Sequence, residues 1–301
     1  MSWSERLRGV LPSTLTPFDE DGRVDFEAFE RHVGRMVAAG VGGVIVASTL
    51  GEAGSLEVEE KLELVRRASA LTRAAGIPTI AAAVGFGAAQ DRRYLGALRE
   101  QGADAMLLFP PVLYRPSTQE FVAHLERSIG QAGLPTLVFN KPATFGCDFS
   151  PAMAERLRGN PDWIGLKEAA ELTARVPEWR RAFGARCRVF AGDEQSLEAL
   201  VLGADGFVAG LANAVPEACV AFHAAVAEGR QAEAAQWYRW LVPLFQLDVS
   251  TALVQNIKLA AAAFLGFPEA VRPPRLPLRG AERERVEAVV AEALATRPAR
   301  P

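Results

Sequence analysis

The sequence predicts an α/β chain, a (β/α)8 TIM barrel followed by a C-terminal three-helix appendage. Three observations carry that expectation. Eight short apolar runs alternate with amphipathic stretches at a repeat of roughly 20 to 35 residues, the rhythm of a closed βα barrel. The runs are rich in Val, Ile, Leu and Ala and carry few charges, as parallel strands buried on both faces must. An open doubly wound sheet would place a phosphate-binding glycine fingerprint after its first strand. Thr14-Leu-Thr-Pro-Phe18 stands there instead, and no Walker A sequence occurs.

The predicted strands cover 11–16, 43–47, 79–84, 105–109, 136–140, 163–167, 188–191 and 206–209. The first crossover helix, 25–39, places Phe26, Phe29, Val33, Met36 and Val37 at helical spacing. The second, 57–75, repeats this with Leu62, Leu64, Val65, Ala68 and Leu71, and stops at Gly76-Ile-Pro78. Further helices are expected over 88–101, 119–131, 151–158 and 195–202, with a shorter crossover in the seventies after Ala170. Beyond about Glu228 the strands stop. Stretches 231–247, 251–265 and 280–295 read as three helices, broken at Gly266-Phe-Pro268 and over 273–277. The expected division is a barrel over 1–228 carrying the active site and a helical region over 229–301 packed on it. The tail from Arg297 to Pro301 is expected to be disordered.

Composition narrows the function. Across 301 residues, 33 Lys plus Arg face 36 Asp plus Glu, a net charge of −3. That balance offers no footprint for nucleic acid or an anionic membrane. The polar amino terminus lacks a signal-peptide core, and no apolar run approaches the roughly 18 residues of a membrane span. Cys147, Cys187 and Cys219 form no C-x-x-C pair, which fits a reducing, cytoplasmic setting. His32, His124 and His223 are scattered without metal-ligand spacing, so neither a metal nor a cofactor is expected. Lysines are scarce: Lys61, Lys141, Lys167 and Lys258.

Barrels of this type do chemistry at the carboxyl ends of their strands. There, Trp163-Ile-Gly-Leu-Lys167-Glu168 ends an apolar strand on a lysine. Desolvation disfavours the ammonium form and makes the amine a nucleophile toward carbonyls. The plainer reading pairs Lys167 with Glu168 as a barrel cap. Ala47-Ser48-Thr49-Leu50-Gly51-Glu52 follows the second strand, and its hydroxyls and amides suit a carboxylate or, equally, an ordinary N-cap. Gly85-Phe-Gly87 allows either a turn or a close ligand approach, and Gly192-Asp193-Glu194 is expected to face the mouth and contact substrate hydroxyls.

These pieces fall in a recognisable order: Thr16-Pro-Phe18, Gly22-x-Val24-Asp25, Ser48-Thr-Leu-Gly-Glu52, Pro110-Pro111 with Pro116, Asn140-x-Pro142, Gly165-Leu-Lys167-Glu168, Gly192-Asp193 and Gly203-Ala-Asp-Gly206, then Lys258 and Arg272-x-Pro274. From about residue 8 to residue 279 the chain resembles the dihydrodipicolinate synthase and N-acetylneuraminate lyase family of Schiff-base aldolases and lyases. The resemblance implies a pyruvate-type 2-oxo acid joined to Lys167 as an imine, which serves as an electron sink. It implies a carboxylate held by Ser48, Thr49 and Leu50, a binding pocket completed by Phe139, Lys141, Thr144 and Val208, and Glu52 as a loop brace. It also implies a homo-oligomer, dimer or tetramer.

Several positions depart from the family pattern. The relay tyrosine one residue before Asn140 is Phe139, which neither donates nor accepts a proton. The middle of the usual tyrosine run is Leu113, with Tyr114 one place later, and the arginine that receives a second substrate is Thr144. These losses argue against the lysine-biosynthesis activity itself. Lys141 is read as a solvent-facing lysine paired with an acid, or as a cation for a distal carboxylate, or as a charge lowering the Lys167 pKa. The expected function is a Schiff-base aldolase, lyase or dehydratase for a less polar 2-oxo acid. The alternative is a protein that keeps the fold and binds the acid without turning it over.

Overall fold

Strands β1 (Gly9–Pro12), β2 (Val44–Val46), β3 (Thr79–Ala83), β4 (Ala105–Leu108), β5 (Thr136–Asn140), β6 (Trp163–Glu168), β7 (Arg188–Ala191) and β8 (Gly206–Ala209) are all parallel. They pair in the order β1-β8-β7-β6-β5-β4-β3-β2. The structure is a computed structural model describing residues 7–85, 88–111, 113–170, 172 and 174–298. The barrel closes between β1 and β2 through Gly42 N–H to Val10 O at 2.9 Å, Thr14 N–H to Ile45 O at 2.8 Å, and a Ser13–Ile45 bridge. Gly42 permits that seam, since a Cβ there would lie 1.9 Å from Arg8 O.

Alternation along each strand divides two cores. Leu11, Ile45, Ile80, Leu107, Leu137, Phe190 and Val208 point into the barrel. Their neighbours Val10, Val44, Val46, Ala81, Met106, Val138, Leu166, Val189 and Phe207 point out and meet the helices. Lys167 sits in register between Phe139 of β5 and Phe190 of β7, two inward-facing positions, so the strand period itself turns it into the mouth.

Helices α1 (Phe26–Ala38), α2 (Val58–Ala74), α3 (Ala88–Ala97), α4 (Thr118–Ala132), the one-turn α5 (Pro142–Phe145) and α6 (Pro151–Ala154), α7 (Arg175–Phe183), α8 (Ser196–Val201) and α9 (Pro216–Ala227) connect the strands and complete the outer layer. Their starts are capped as the residues dictate. Asp25 Oδ1 accepts from Ala28 N–H at 2.9 Å before α1, and Ser117 and Glu120 form a capping box on α4. Then α10 (Gln231–Phe245), α11 (Leu253–Leu265) and α12 (Gly280–Ala295) pack together, with Trp240 Nε1 donating to Ala293 O at 3.0 Å. Among the described residues no helix is long and apolar enough to cross a membrane.

The first strand differs from expectation. It spans Gly9–Pro12 because Ser13 to Thr16 turn out of the ladder: Leu15 N–H goes to Asn213 Oδ1 at 2.9 Å and the Thr16 hydroxyl to Gly51 O at 2.7 Å. Helix α3 stops at Ala97, four residues early, in turns that lead into β4. The segment expected as a helix over 151–158 is one turn, α6, running on into a 3-10 turn over Glu155–Leu157. Phe86 and Gly87 of the Gly85-Phe-Gly87 motif, and the last three residues of the tail, lie outside the described residues.

Candidate active site

The loop after β2 is built under strain and then locked. Ala47 and Glu52 both adopt left-handed backbone conformations, φ 57° and φ 55°, which side chains other than glycine rarely take. Between them Ser48 to Gly51 curl over the barrel mouth. The Ser48 hydroxyl meets the Ser13 hydroxyl. Among the described residues the Thr49 and Leu50 amides donate to no protein acceptor. Glu52 is fully buried and fastens the loop from behind, its Oε1 receiving Lys258 Nζ at 2.7 Å and its Oε2 the Arg272 amide at 3.1 Å. Lys258 also stands 4.5 Å above the Phe18 ring, and burial lowers its pKa to about 8. Glu52 is thus a brace, as the resemblance implies.

The end of β5 and β6 is organised away from Lys167. Asn140 accepts from Phe149 N–H at 2.9 Å and donates to Glu168 Oε1 at 2.9 Å. Glu168 Oε2 takes the Trp179 indole N–H at 2.8 Å and Arg175 Nε at 3.4 Å. Glu168 therefore faces the helix layer, and the reading that paired it with Lys167 does not hold. Alternation explains this: adjacent residues of a strand point to opposite faces. Asp193 is also placed differently from expectation. Its Oδ2 accepts from Gly210 and Leu211 N–H at 2.9 and 3.0 Å, fixing the turn after β8.

Lys167 projects into a cavity of about 200 Å³ at the carboxyl end of the barrel. Ser48, Thr49, Leu50, Phe139, Lys141, Thr144 and Val208 border the same cavity, so every site residue named from the sequence is brought to one place. Sequence reasoning missed Ser13, Leu107, Gly210, Phe109, Phe145, Asp248 and Leu253, which complete the wall. The last two come from the C-terminal region, so the cavity draws on both 1–228 and 229–301. No local motif marked them, because their approach to the mouth is a tertiary fact.

The Lys167 amine lies 4.3 Å from the Phe139 ring centroid and makes no hydrogen bond or ion pair among the described residues. Burial is the main cause lowering its pKa; Asp248 and Glu194 oppose the shift, and Lys141 adds to it. Lys141 N-caps α5 and makes no ion pair among the described residues, so the solvent-facing acid pair is not formed. Phe109, Phe139 and Phe145 meet edge to face at centroid distances of 4.9, 5.8 and 5.2 Å, giving one wall an aromatic surface. Among the described residues Asp248 Oδ1 is buried without a partner. Among the described residues no group of three His, Cys, Asp or Glu side chains is placed to hold a metal ion.

A parallel eight-stranded barrel with a desolvated lysine at its mouth is the architecture of lysine-dependent lyases. The chain belongs to the dihydrodipicolinate synthetase family, whose model it matches over residues 6–293. Among its relatives is the 4-hydroxy-tetrahydrodipicolinate synthase of Phenylobacterium zucineum (strain HLK1), 31% identical, covering 95% of this chain and 97% of the relative. The synthase of that name from Xylella fastidiosa (strain Temecula1 / ATCC 700964) is 34% identical over 70% of each chain. The solved 4-hydroxy-tetrahydrodipicolinate synthase of Methylacidiphilum fumariolicum SolV superposes with a TM-score of 0.88 at 27% identity, covering 96% of this chain and 97% of that one. The protein is accordingly an enzyme of the class I lyase type, whose members work through a lysine Schiff base.

Proposed function

We propose that Lys167 condenses with a pyruvate-type 2-oxo acid and that the imine then supports aldol cleavage, aldol addition or dehydration. The observation that carries this reading is a desolvated Lys167 amine that, among the described residues, has no hydrogen-bond or ion-pair partner and shares one small cavity with the Thr49 and Leu50 amides, which donate to no acceptor there. The amides and the Ser48 and Thr49 hydroxyls hold the substrate carboxylate, and the 2-oxo carbon then faces the amine. At roughly 30 Å³ per liquid water, a cavity of about 200 Å³ admits a small acid with a modest substituent. That substituent meets Phe139, Phe145 and Leu253, so it is less polar than a second amino-acid substrate would be. Thr144 and Phe139 leave that region without the arginine and tyrosine of the lysine-biosynthesis pattern, which speaks against the activity for which the relatives are named.

Borohydride reduction in the presence of a panel of 2-oxo acids, followed by peptide mapping, tests the reading. A reduced adduct on Lys167 is expected, with none in Lys167→Ala. No adduct across the panel would sink it. An adduct without turnover of any hydroxylated or aldol substrate would instead favour binding without catalysis on the same fold. Dimer or tetramer assembly is proposed alongside, and sedimentation of the purified chain measures it.

A further inference from the structure

We infer that Asp248, contributed by the C-terminal helical region, moves the proton at C3 of the Lys167-bound substrate, the task left open by a phenylalanine at 139. The inference rests on the Schiff-base reading of Lys167. Asp248 lies in the 3-10 turn Gln246–Val249 between α10 and α11 and borders the cavity that holds the Lys167 amine. Its carboxylate approaches so closely over Gly210 that a Cβ there would stand 2.9 Å from Oδ2. Oδ1 is buried and unpartnered, and among the described residues no hydrogen bond or ion pair holds either oxygen. A buried carboxylate without a partner is costly, and such exceptions in native proteins mark groups kept free for a ligand or a proton.

The other groups around the amine are poor candidates. Glu168 is turned outward and hydrogen-bonded, and Phe139 has no exchangeable proton. Asp193, like Asp248, has an Oδ1 without a partner among the described residues, but its Oδ2 is bound by two amides, and neither Asp193 nor Glu194 borders the cavity that Asp248 lines. The charged groups facing Asp248 are Lys167 from β6, Lys141 at the start of α5, and Asp193 and Glu194 after β7. Burial raises the Asp248 pKa to about 6, with Glu194 adding to the rise and Lys167 and Lys141 opposing it. A carboxyl group near 6 takes and returns a proton at neutral pH.

In the step, the Asp248 carboxylate removes a proton from C3 of the iminium. The C3–H electron pair becomes the C2=C3 bond of the enamine, and the C=N pair moves onto Nζ. The proton stays on Asp248 until it returns to C3, so no other reactant is consumed.

The test compares two readouts on the full chain with pyruvate in deuterated buffer: borohydride trapping at Lys167, and exchange of the pyruvate methyl protons followed by NMR. Asp248→Asn is expected to keep trapping and to lose exchange per trapped imine by about 10²-fold or more. A fall of less than tenfold in that ratio would overturn the inference, because a mere counter-ion of Lys167 changes trapping and exchange together. Should the variant not fold, the wild-type ratio decides: it is expected to rise with pH through about 6, and a flat profile from acid to neutral pH would overturn the inference. Absence of any wild-type adduct overturns the Schiff-base reading and this one with it, and is distinguished by the trapping readout alone.

Discussion

At Lys167 two neighbours act on the same amine with opposite signs. The Phe139 ring face, 4.3 Å away, stabilises the ammonium form, whereas the Lys141 charge disfavours it. A cation–π contact of about 0.5–1 kcal/mol corresponds to about half a pKa unit. Phe139→Leu therefore shifts the acid limb of borohydride trapping to lower pH by about half a unit, and Lys141→Met shifts it to higher pH. The pH profile of adduct formation at fixed 2-oxo acid concentration measures both; shifts of equal sign would refute the assignment. That Lys167 faces the mouth was legible, because a strand's two-residue period and an apolar run ending on lysine fix its direction. Glu168 faces the opposite way by the same period, and only its partners Trp179 and Asn140 show what it does instead.

Among the elements, the loop after β2 depends on α11 for its shape. Lys258 and Glu52 are both 0% exposed, so neither charge survives alone in that interior. Removing one partner of such a pair typically costs about 3–5 kcal/mol. Lys258→Ala is expected to lose that much by chemical denaturation and to weaken 2-oxo acid trapping by distorting Ser48 to Gly51. Joint replacement by Glu52→Gln and Lys258→Met should recover at least half of the loss, since no unpaired charge is then left behind. Most strands were readable because burial on both faces writes them as apolar runs. Helix α9 was not, for the related reason that it is apolar nearly all round, with Ala218, Cys219, Phe222 and Ala225 buried and little polar face to give a period.

The whole barrel closes on a seam where the first and second strands meet through backbone hydrogen bonds and the Thr14 hydroxyl, which donates to Ile45 O at 3.0 Å. Gly42→Ala would drive a methyl into Arg8 O, and overpacking of this kind typically costs about 1–3 kcal/mol. Denaturant titration should show this loss with the transition still cooperative; an unaffected midpoint would mean the seam opens freely. The closed arrangement, and eight of the cavity-lining residues, could be anticipated from alternation and from the ordered motifs. Asp248 and Leu253 could not, because the fold carries them to the mouth across some 80 residues of chain beyond Lys167. The Glu52–Lys258 clasp and the bidentate Arg272–Glu60 pair at 2.6 and 2.7 Å have a consequence for recombining this chain with its relatives. A crossover placed at the end of the barrel, near residue 229, looks natural yet separates both pairs and parts Asp248 from Lys167. Hybrids that inherit the β2 loop and residues up to 272 from one parent should fold and react, whereas those cut between them should yield misassembled protein.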